Sequence, residues 1–287
     1  MDDLPSLQRW GAWTNTDPNT YDVERVEVMR GPQGTLFGSG SLGGALRVIS
    51  NKPDTTAFAG NIELTQAFTE KGEDSNSASA MLNIPLVDDS MAMRLVAYRR
   101  KDGGYIDNVR RNEDNVNSGT TEGGRLLFAY APSDRLDLRL TVTHQSDEVD
   151  DGSATFTEKS DGGEYEYNGI LAEESDVSMQ VYNFWADYDL GSMSLISSTT
   201  IAERESVFTP DLVSLTDLVF STGLDPDEND YILDEEVDTL AQEFRLTSQD
   251  DSNLKWTVGA FYFKQEITSD ALWTADNLSL LLYSSLL

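Results

Sequence analysis

The sequence predicts an all-β fold, a partial antiparallel transmembrane β-barrel, and three observations lead there. From Ala57 onward apolar and polar side chains alternate with a period of two. The connections between alternating segments are tight at one end and long at the other, which is how an up-and-down membrane barrel is wired. Room for a long amphipathic helix is hard to find, and no window reaches the roughly 18 uninterrupted apolar residues of a spanning helix. The tail Leu278 to Leu287 comes closest and is too short.

Taken in order, the first elements precede the alternation. Val23 to Met29 and Ala45 to Ser50 read as two short strands flanking a glycine-dense turn region. Gly38, Gly40 and Gly43 spell a GxGxxG, but a dinucleotide site needs a helix next, and the residues that follow are β-branched and stopped by Pro53. No Gly-Lys-Ser/Thr closes a phosphate loop. Strand candidates then run near Gly60 to Phe68, Ser77 to Leu86, Met91 to Arg100 and Gly123 to Ala131. In the next, Leu136, Leu138, Leu140 and Val142 alternate with Asp137, Arg139, Thr141 and Thr143. Tyr182, Phe184, Ala186, Tyr188 and Leu190 share one face of another, opposite Asn183, Asp187 and Asp189. Ser192 to Ala202, Thr239 to Ser248 and Leu254 to Tyr262 complete about nine strands, each around the ten residues that a tilted strand needs to cross a bilayer.

Tight polar turns are expected at Val87 to Ser90, Pro132 to Asp134, Leu190 to Ser192 and Asp250 to Asn253. Long acidic loops are expected at Asp102 to Thr121, Asp147 to Asp176 and Glu205 to Asp238. Alternation alone fits a soluble β-sandwich equally well. Long loops at every second connection favour the barrel, because compact soluble domains seldom carry them. Phe58, Phe68, Tyr98, Tyr105, Tyr130, Trp185, Tyr188 and Tyr262 stand near strand ends, where aromatic girdles meet the headgroups.

Composition removes whole classes of function. The 287 residues carry 51 acidic against 20 basic side chains, a net charge of −31, which argues against nucleic-acid binding. With no cysteine there is no disulfide framework, thiolate catalysis or Cys-ligated metal. The single histidine, His144, cannot build a metal site; it reads as a lumen or rim residue on the polar face of its strand. Asp225, Asp227, Glu228, Asp230, Asp234, Glu235, Glu236 and Asp238 invite a calcium reading, as does Asp147 to Asp151. No EF-hand glycine or terminal Glu stands in place, and a solvated loop facing divalent-bridged lipopolysaccharide is the favoured reading. Trp13 is assigned to packing.

The segment with the most specific signal runs Tyr21-Asp-Val-Glu-Arg-Val-Glu-Val-Met29, Arg30-Gly-Pro-Gln-Gly-Thr-Leu-Phe-Gly38, Ser39-Gly-Ser-Leu-Gly-Gly44 and Ala45-Leu-Arg-Val-Ile-Ser50. It resembles the closing part of the plug domain of TonB-dependent outer-membrane receptors, over about thirty consecutive residues with fixed spacing. Asp2-Asp3-Leu4-Pro5 is similar to an earlier plug strand. Gly103-Gly-Tyr-Ile-Asp107, Gln242 to Ser248 and Trp256 to Tyr262 are similar to barrel strands of the siderophore-type branch.

The resemblance implies a plug remnant over residues 1–53 and the first part of a barrel over 54–287. It implies a transporter and no enzyme, with no cofactor. A ferric siderophore is the implied ligand, with a vitamin or carbohydrate as alternatives; TonB is the implied energy source, and the outer membrane of a Gram-negative bacterium, with its lipid and lipopolysaccharide, the location. A secreted acidic sandwich that binds glycan or calcium stays as the competing reading. Arg30 is expected to face the wall and pair with barrel glutamates. Gly31, Pro32, Gly34, Gly38, Gly43 and Gly44 are expected to shape the turn beside it.

The family's barrel has 22 strands around its plug. About nine strands cannot enclose one, since a barrel of about eight is filled by its own side chains. No signal peptide is read in Met1 to Gly11, and the chain is therefore expected to be an internal piece, with unpaired sheet edges. Its sheet should be open, apolar outside, with the residues before Pro53 against the polar face.

Overall fold

The computed structural model describes residues 18–32, 43–152, 165–211, 230–249, 254–275 and 278–286. β1 (Val23–Arg30) and β2 (Gly44–Ser50) form an antiparallel ribbon with Val26 opposite Val48 and Arg30 opposite Gly44. The rest of the regular structure is one sheet of ten strands. They are β3 (Ala59–Ala67), β4 (Ser75–Val87), β5 (Met91–Asp102), β7 (Gly119–Ser133), β8 (Leu136–Val149), β10 (Ser175–Asp189), β11 (Met193–Phe208), β12 (Asp230–Ser248), β13 (Thr257–Ala275) and β14 (Leu278–Leu286). Every sheet strand pairs antiparallel with its neighbours in chain order, and the sheet is open, with β3 and β14 at its two edges. β6 (Asp107–Asn108) and β9 (Glu166–Tyr167) make a small parallel pair between two long loops.

The two faces of the sheet decide what kind of sheet it is. Directly paired residues share a face. One row therefore joins Leu140 to Phe184, Val142 to Tyr182, Tyr182 to Ile201 and Ile201 to Leu240. Of these, Tyr182, Phe184, Ile201 and Leu240 are 38–46% exposed. The opposite face carries Thr143, Gln145, Ser198, Thr200 and Thr239, each at most 9% exposed. Apolar side chains outward and polar ones inward invert the rule for soluble domains. The β-sandwich reading is overturned here, because no second sheet covers the apolar face among the described residues. One outward polar cluster satisfies itself, as hydrocarbon demands. The Thr199 hydroxyl donates to Gln242 Oε1 at 2.5 Å, and Gln242 Nε2 donates to Ser197 Oγ at 3.2 Å.

The strands are longer than the alternation suggested. β12 and β13 have 19 residues each, against the ten or so that a bilayer needs. Much of the expected loop Glu205 to Asp238 is strand: Glu205 pairs with Glu236 and Glu203 with Asp238. The period of two continues through the acidic run, with Leu233, Glu235 and Val237 inward and Asp234, Glu236 and Asp238 outward; charge hid a pattern that the backbone ladder keeps. The tail at Leu278–Leu286 is a tenth strand on β13. The turn expected at Pro132 to Asp134 falls later, because β7 runs to Ser133. Gly191 takes a positive φ of 91° in the turn before β11, and Asp250 to Asn253 lie outside the described residues.

Three side chains sit on the other face from that expected. His144 pairs with Gly124 and Gln180 in the outward row and is exposed, since it has the parity of Leu140 and Val142. Tyr98 is 6% exposed on the inner face and donates its hydroxyl to Gln145 Oε1 at 2.8 Å. Trp185 is inward as well, with the Arg139 guanidinium 4.2 Å above its ring. Phe58, Phe68, Tyr105, Tyr130, Tyr188 and Tyr262 are exposed.

Candidate functional site

The β1–β2 ribbon lies against the inner face of the sheet, and its geometry follows from a few residues. Gly31 has φ +87° and donates its N–H to the Gly43 carbonyl at 3.1 Å, closing the ribbon beside Arg30. Gly44 has φ +152°, and a Cβ there would stand 2.5 Å from the Met29 carbonyl oxygen. Only glycine fits that approach. Gly44→Ala should cost about 1–3 kcal/mol in strain and loosen the end of the ribbon. Faster amide exchange at Arg30 and Leu46, with β4 and β5 unchanged, would register it; unchanged exchange would refute the assignment.

Arg30 ends β1 and is exposed, and Pro32 follows the turn. Gly34, Gly38, Trp13 and the Asp2 to Pro5 motif lie outside the described residues. Along the ribbon, the Arg25 guanidinium hydrogen-bonded to Glu27 holds that carboxyl below its usual range, and Arg47 adds to the effect.

The contacts of the ribbon with the wall cluster at the Asp22 end, where sequence reasoning placed no role. Arg94 grips Asp22 in a two-pronged ion pair, Nε to Oδ2 at 2.7 Å and Nη2 to Oδ1 at 2.5 Å. The two side chains are 12% and 7% exposed. Arg125 donates to the Tyr21 carbonyl and, at 3.5 Å, to Ser50 Oγ. Asn19 N donates to Gln145 Oε1 at 3.2 Å, and Tyr21 Oη to the Asn61 carbonyl at 3.3 Å. Burial and the neighbouring Asp22 and Glu63 carboxylates push the Tyr21 phenol upward. A polar cavity of about 490 Å³ opens beside this corner, between Tyr21 and Asp22 on the ribbon and Asn61, Glu63, Ser79 and Tyr98 on the wall. Below it the connection into the sheet is tied down by Asn83, which is fully buried. Its amide donates to the Asp54 and Ala57 carbonyls and accepts from Asp54 N. A signal for the corner was present in the sequence: Arg94 and Arg125 are charges inside otherwise apolar strands, which need a partner.

At the long-loop end the loops are knitted to one another. Glu73 N donates to the Gly104 carbonyl, Asp107 N to that of Tyr165, and Val109 N to that of Tyr167. Asp151, 1% exposed, accepts from Arg111 Nη2 at 2.9 Å and from Glu173 N at 3.3 Å. Asp211 accepts from the N–H groups of Ile170 and Leu171. Tyr105 and Tyr165 meet edge to face, their centroids 6.0 Å apart. The acidic run Asp147 to Asp151 is thus partly spent on protein contacts, Asp147 to Thr121 and Gln145, Asp150 to Ser118 and Asp151 to Arg111. Asp225, Asp227 and Glu228 lie outside the described residues, and among the described residues no three carboxylate or histidine groups are placed to hold a metal ion.

An open antiparallel sheet, apolar outward, with a glycine-cornered ribbon bound to its polar inner face defines part of a plugged outer-membrane barrel. A sequence profile of the TonB-dependent receptor plug domain matches residues 1–45. The pesticin receptor of Yersinia enterocolitica is 28% identical over 138 residues, 47% of this chain and 19% of that protein. The iron-regulated outer membrane virulence protein of Vibrio cholerae is 29% identical over 145 residues, 48% of this chain and 21% of the relative. The match thus takes in about a fifth of these relatives' length. Among solved structures, the ferric yersiniabactin uptake receptor FyuA from Yersinia pestis superposes with a TM-score of 0.74 at 17% identity, over 92% of this chain and 40% of that one. The siderophore receptor PiuA from Acinetobacter baumannii gives 0.64 at 15% identity, over 90% and 37%. Residues 1–45 are thus similar to the plug domain of TonB-dependent receptors, and the chain as a whole has the fold of part of such a receptor.

Proposed function

We propose that this protein serves in the uptake of a ferric siderophore across the outer membrane, residues 1–53 as part of the plug and 54–287 as part of the barrel. The observation that carries this reading is the polar inner face of a lipid-facing sheet holding the plug ribbon through the Asp22 corner. The names of an iron-regulated outer membrane relative and of a ferric yersiniabactin uptake receptor with the same fold support iron over a vitamin or a carbohydrate. Ligand would be held by the knitted loops, and energy would come from TonB. Lipopolysaccharide would meet the outward acidic extensions of β11 and β12. Arg30 would pair with wall glutamates and hold the plug until transport. No bond of the ligand changes, so the chemistry asked of these residues is binding and release.

The test is titration of the detergent-solubilised protein with ferric catecholate, hydroxamate and phenolate siderophores, read by tryptophan fluorescence. Tight binding of at least one ferric complex, with the iron-free form much weaker, is expected. Indifference to iron, or silence across all three classes, would refute the reading.

A further inference from the structure

We propose that Asp22, clamped by Arg94 and flanked by the Arg125 contacts to Tyr21 and Ser50, is the anchor by which the barrel wall holds the plug segment, and that this corner stays on the wall while ligand is carried. The inference rests on the plug and barrel reading above. It concerns a contact of opposite polarity to the Arg30 latch: here the carboxylate is on the plug and the guanidinium groups are on the wall.

The residue at the corner has to do two things at once. Its φ is +57°, a left-handed conformation that Asp and Asn tolerate and most side chains do not. Its carboxylate also has to accept both prongs of Arg94, a geometry that a guanidinium matches and an ammonium does not. Asp meets both demands. Asn51 braces the same group, donating Nδ2 to Asp22 Oδ1 at 3.0 Å and its backbone N–H to the Asp22 carbonyl. Arg125 then ties the two ribbon strands together at this end, taking the Tyr21 carbonyl before β1 and the Ser50 hydroxyl at the end of β2. Arg94 stands on β5 and Arg125 on β7, so adjacent wall strands hold one corner. β8 adds Gln145, which also receives the Tyr98 hydroxyl.

Polarity gives the anchor its use. The Asp22 and Arg30 ends of β1 carry opposite charges, so neither can take the other's place on the wall without bringing like charges together. An ion pair with most of its water removed is a weak source of stability but a strong selector of arrangement. The corner thereby fixes which way round the ribbon lies, and it gives the plug a point about which the Arg30 end can be displaced.

Amide exchange and uptake test this together, and the chain's lack of cysteine makes thiol chemistry clean. Asp22→Asn keeps the left-handed conformation and removes the charge. It should lower protection of the β1–β2 amides by about tenfold to a hundredfold, the range for a hydrogen bond to a charged group. Arg94→Gln should do the same, and the double variant should be no worse than either alone. Thr20→Cys with Ser79→Cys, two positions that line the cavity beside the corner and take no part in the clamp, joined by a short bismaleimide, should leave uptake of the ferric probe intact. Unchanged protection in Asp22→Asn, or additive losses in the double variant, would overturn the anchor. A joined protein that binds the probe but no longer carries it would overturn the claim that the corner stays put. If the parent protein binds none of the three ferric probes, the uptake reading fails, while the exchange experiment still decides the anchor.

Discussion

Asp151→Ala should unknit the loop end while leaving the sheet intact. Asp151 is a carboxylate almost wholly removed from water, and its partner Arg111 is only 16% exposed. Burial alone would lower the Arg111 pKa, but hydrogen bonds to Glu113 and Asp151 outweigh it and hold the guanidinium charged. Removing Asp151 leaves Arg111 with only the half-exposed Glu113 as counter-charge, so the cost falls toward the lower end of the about 3–5 kcal/mol of a broken buried pair. Arg111 has little slack to absorb the loss, because its Nη1 is already a buried nitrogen without a hydrogen-bond partner. The Glu173 N–H loses its acceptor too. Amide exchange at Asp107, Val109 and Gly152 should therefore accelerate by a factor of about a hundred or more. The amides of β10 and β11 should not change. Asp151→Asn, which keeps the shape and loses the charge, should fall between. Equal protection in Asp151→Ala and parent would show that the loops hold together without this pair.

Gly123→Val should damage the wall itself. Gly123 lies on β7 directly between Tyr98 on β5 and Gln145 on β8, in the inward row. The missing side chain lets the Tyr98 ring cross β7 to reach Gln145, which in turn holds Asn19. A Cβ at Gly123 would stand 2.3 Å from the His144 carbonyl oxygen, 2.8 Å from Tyr98 Oη and 3.0 Å from Gln145 Cα. Two of those atoms are backbone and cannot rotate away. Overpacking costs about 1–3 kcal/mol, and the lost Tyr98 to Gln145 bond about 1 kcal/mol more. The denaturant midpoint of the detergent-folded protein should drop, and Asn19 and Tyr21 should lose protection with it. Gly60→Val is the control, since a Cβ there meets nothing closer than 3.5 Å. Equal midpoints for the two variants would sink the explanation.

Much of this was legible before any coordinates. The alternation placed nine of the ten sheet strands, and the glycine-rich segment placed both ribbon strands to within a residue. Their ends were harder. At Glu203 and Glu205 on β11 and Asp234 to Asp238 on β12 the sequence looks like a solvated loop, yet side-chain charge does not stop a backbone ladder when the charges point to water or, as Glu235 does with Arg204, find a partner. Facing also went astray at three side chains: His144 has the spacing of Leu140 and Val142 and faces outward with them, while Tyr98 and Trp185 face inward. The site was half legible. Arg30 stood out because it sits in a dense motif, whereas Asp22, in that same motif, gained its meaning only from Arg94, 72 residues away.

A period of two settles which side chains share a face, because the pleat alternates them whatever else the chain does. That much was local, and with the glycine motif it determined a lipid-facing sheet and a plug ribbon. Which inward charges meet is not local. Bringing Asp22 to Arg94, Asn19 to Gln145 and Arg111 to Asp151 depends on strand register and on where the ribbon rests. Those are set by the summed fit of a whole face, which no single stretch of sequence contains.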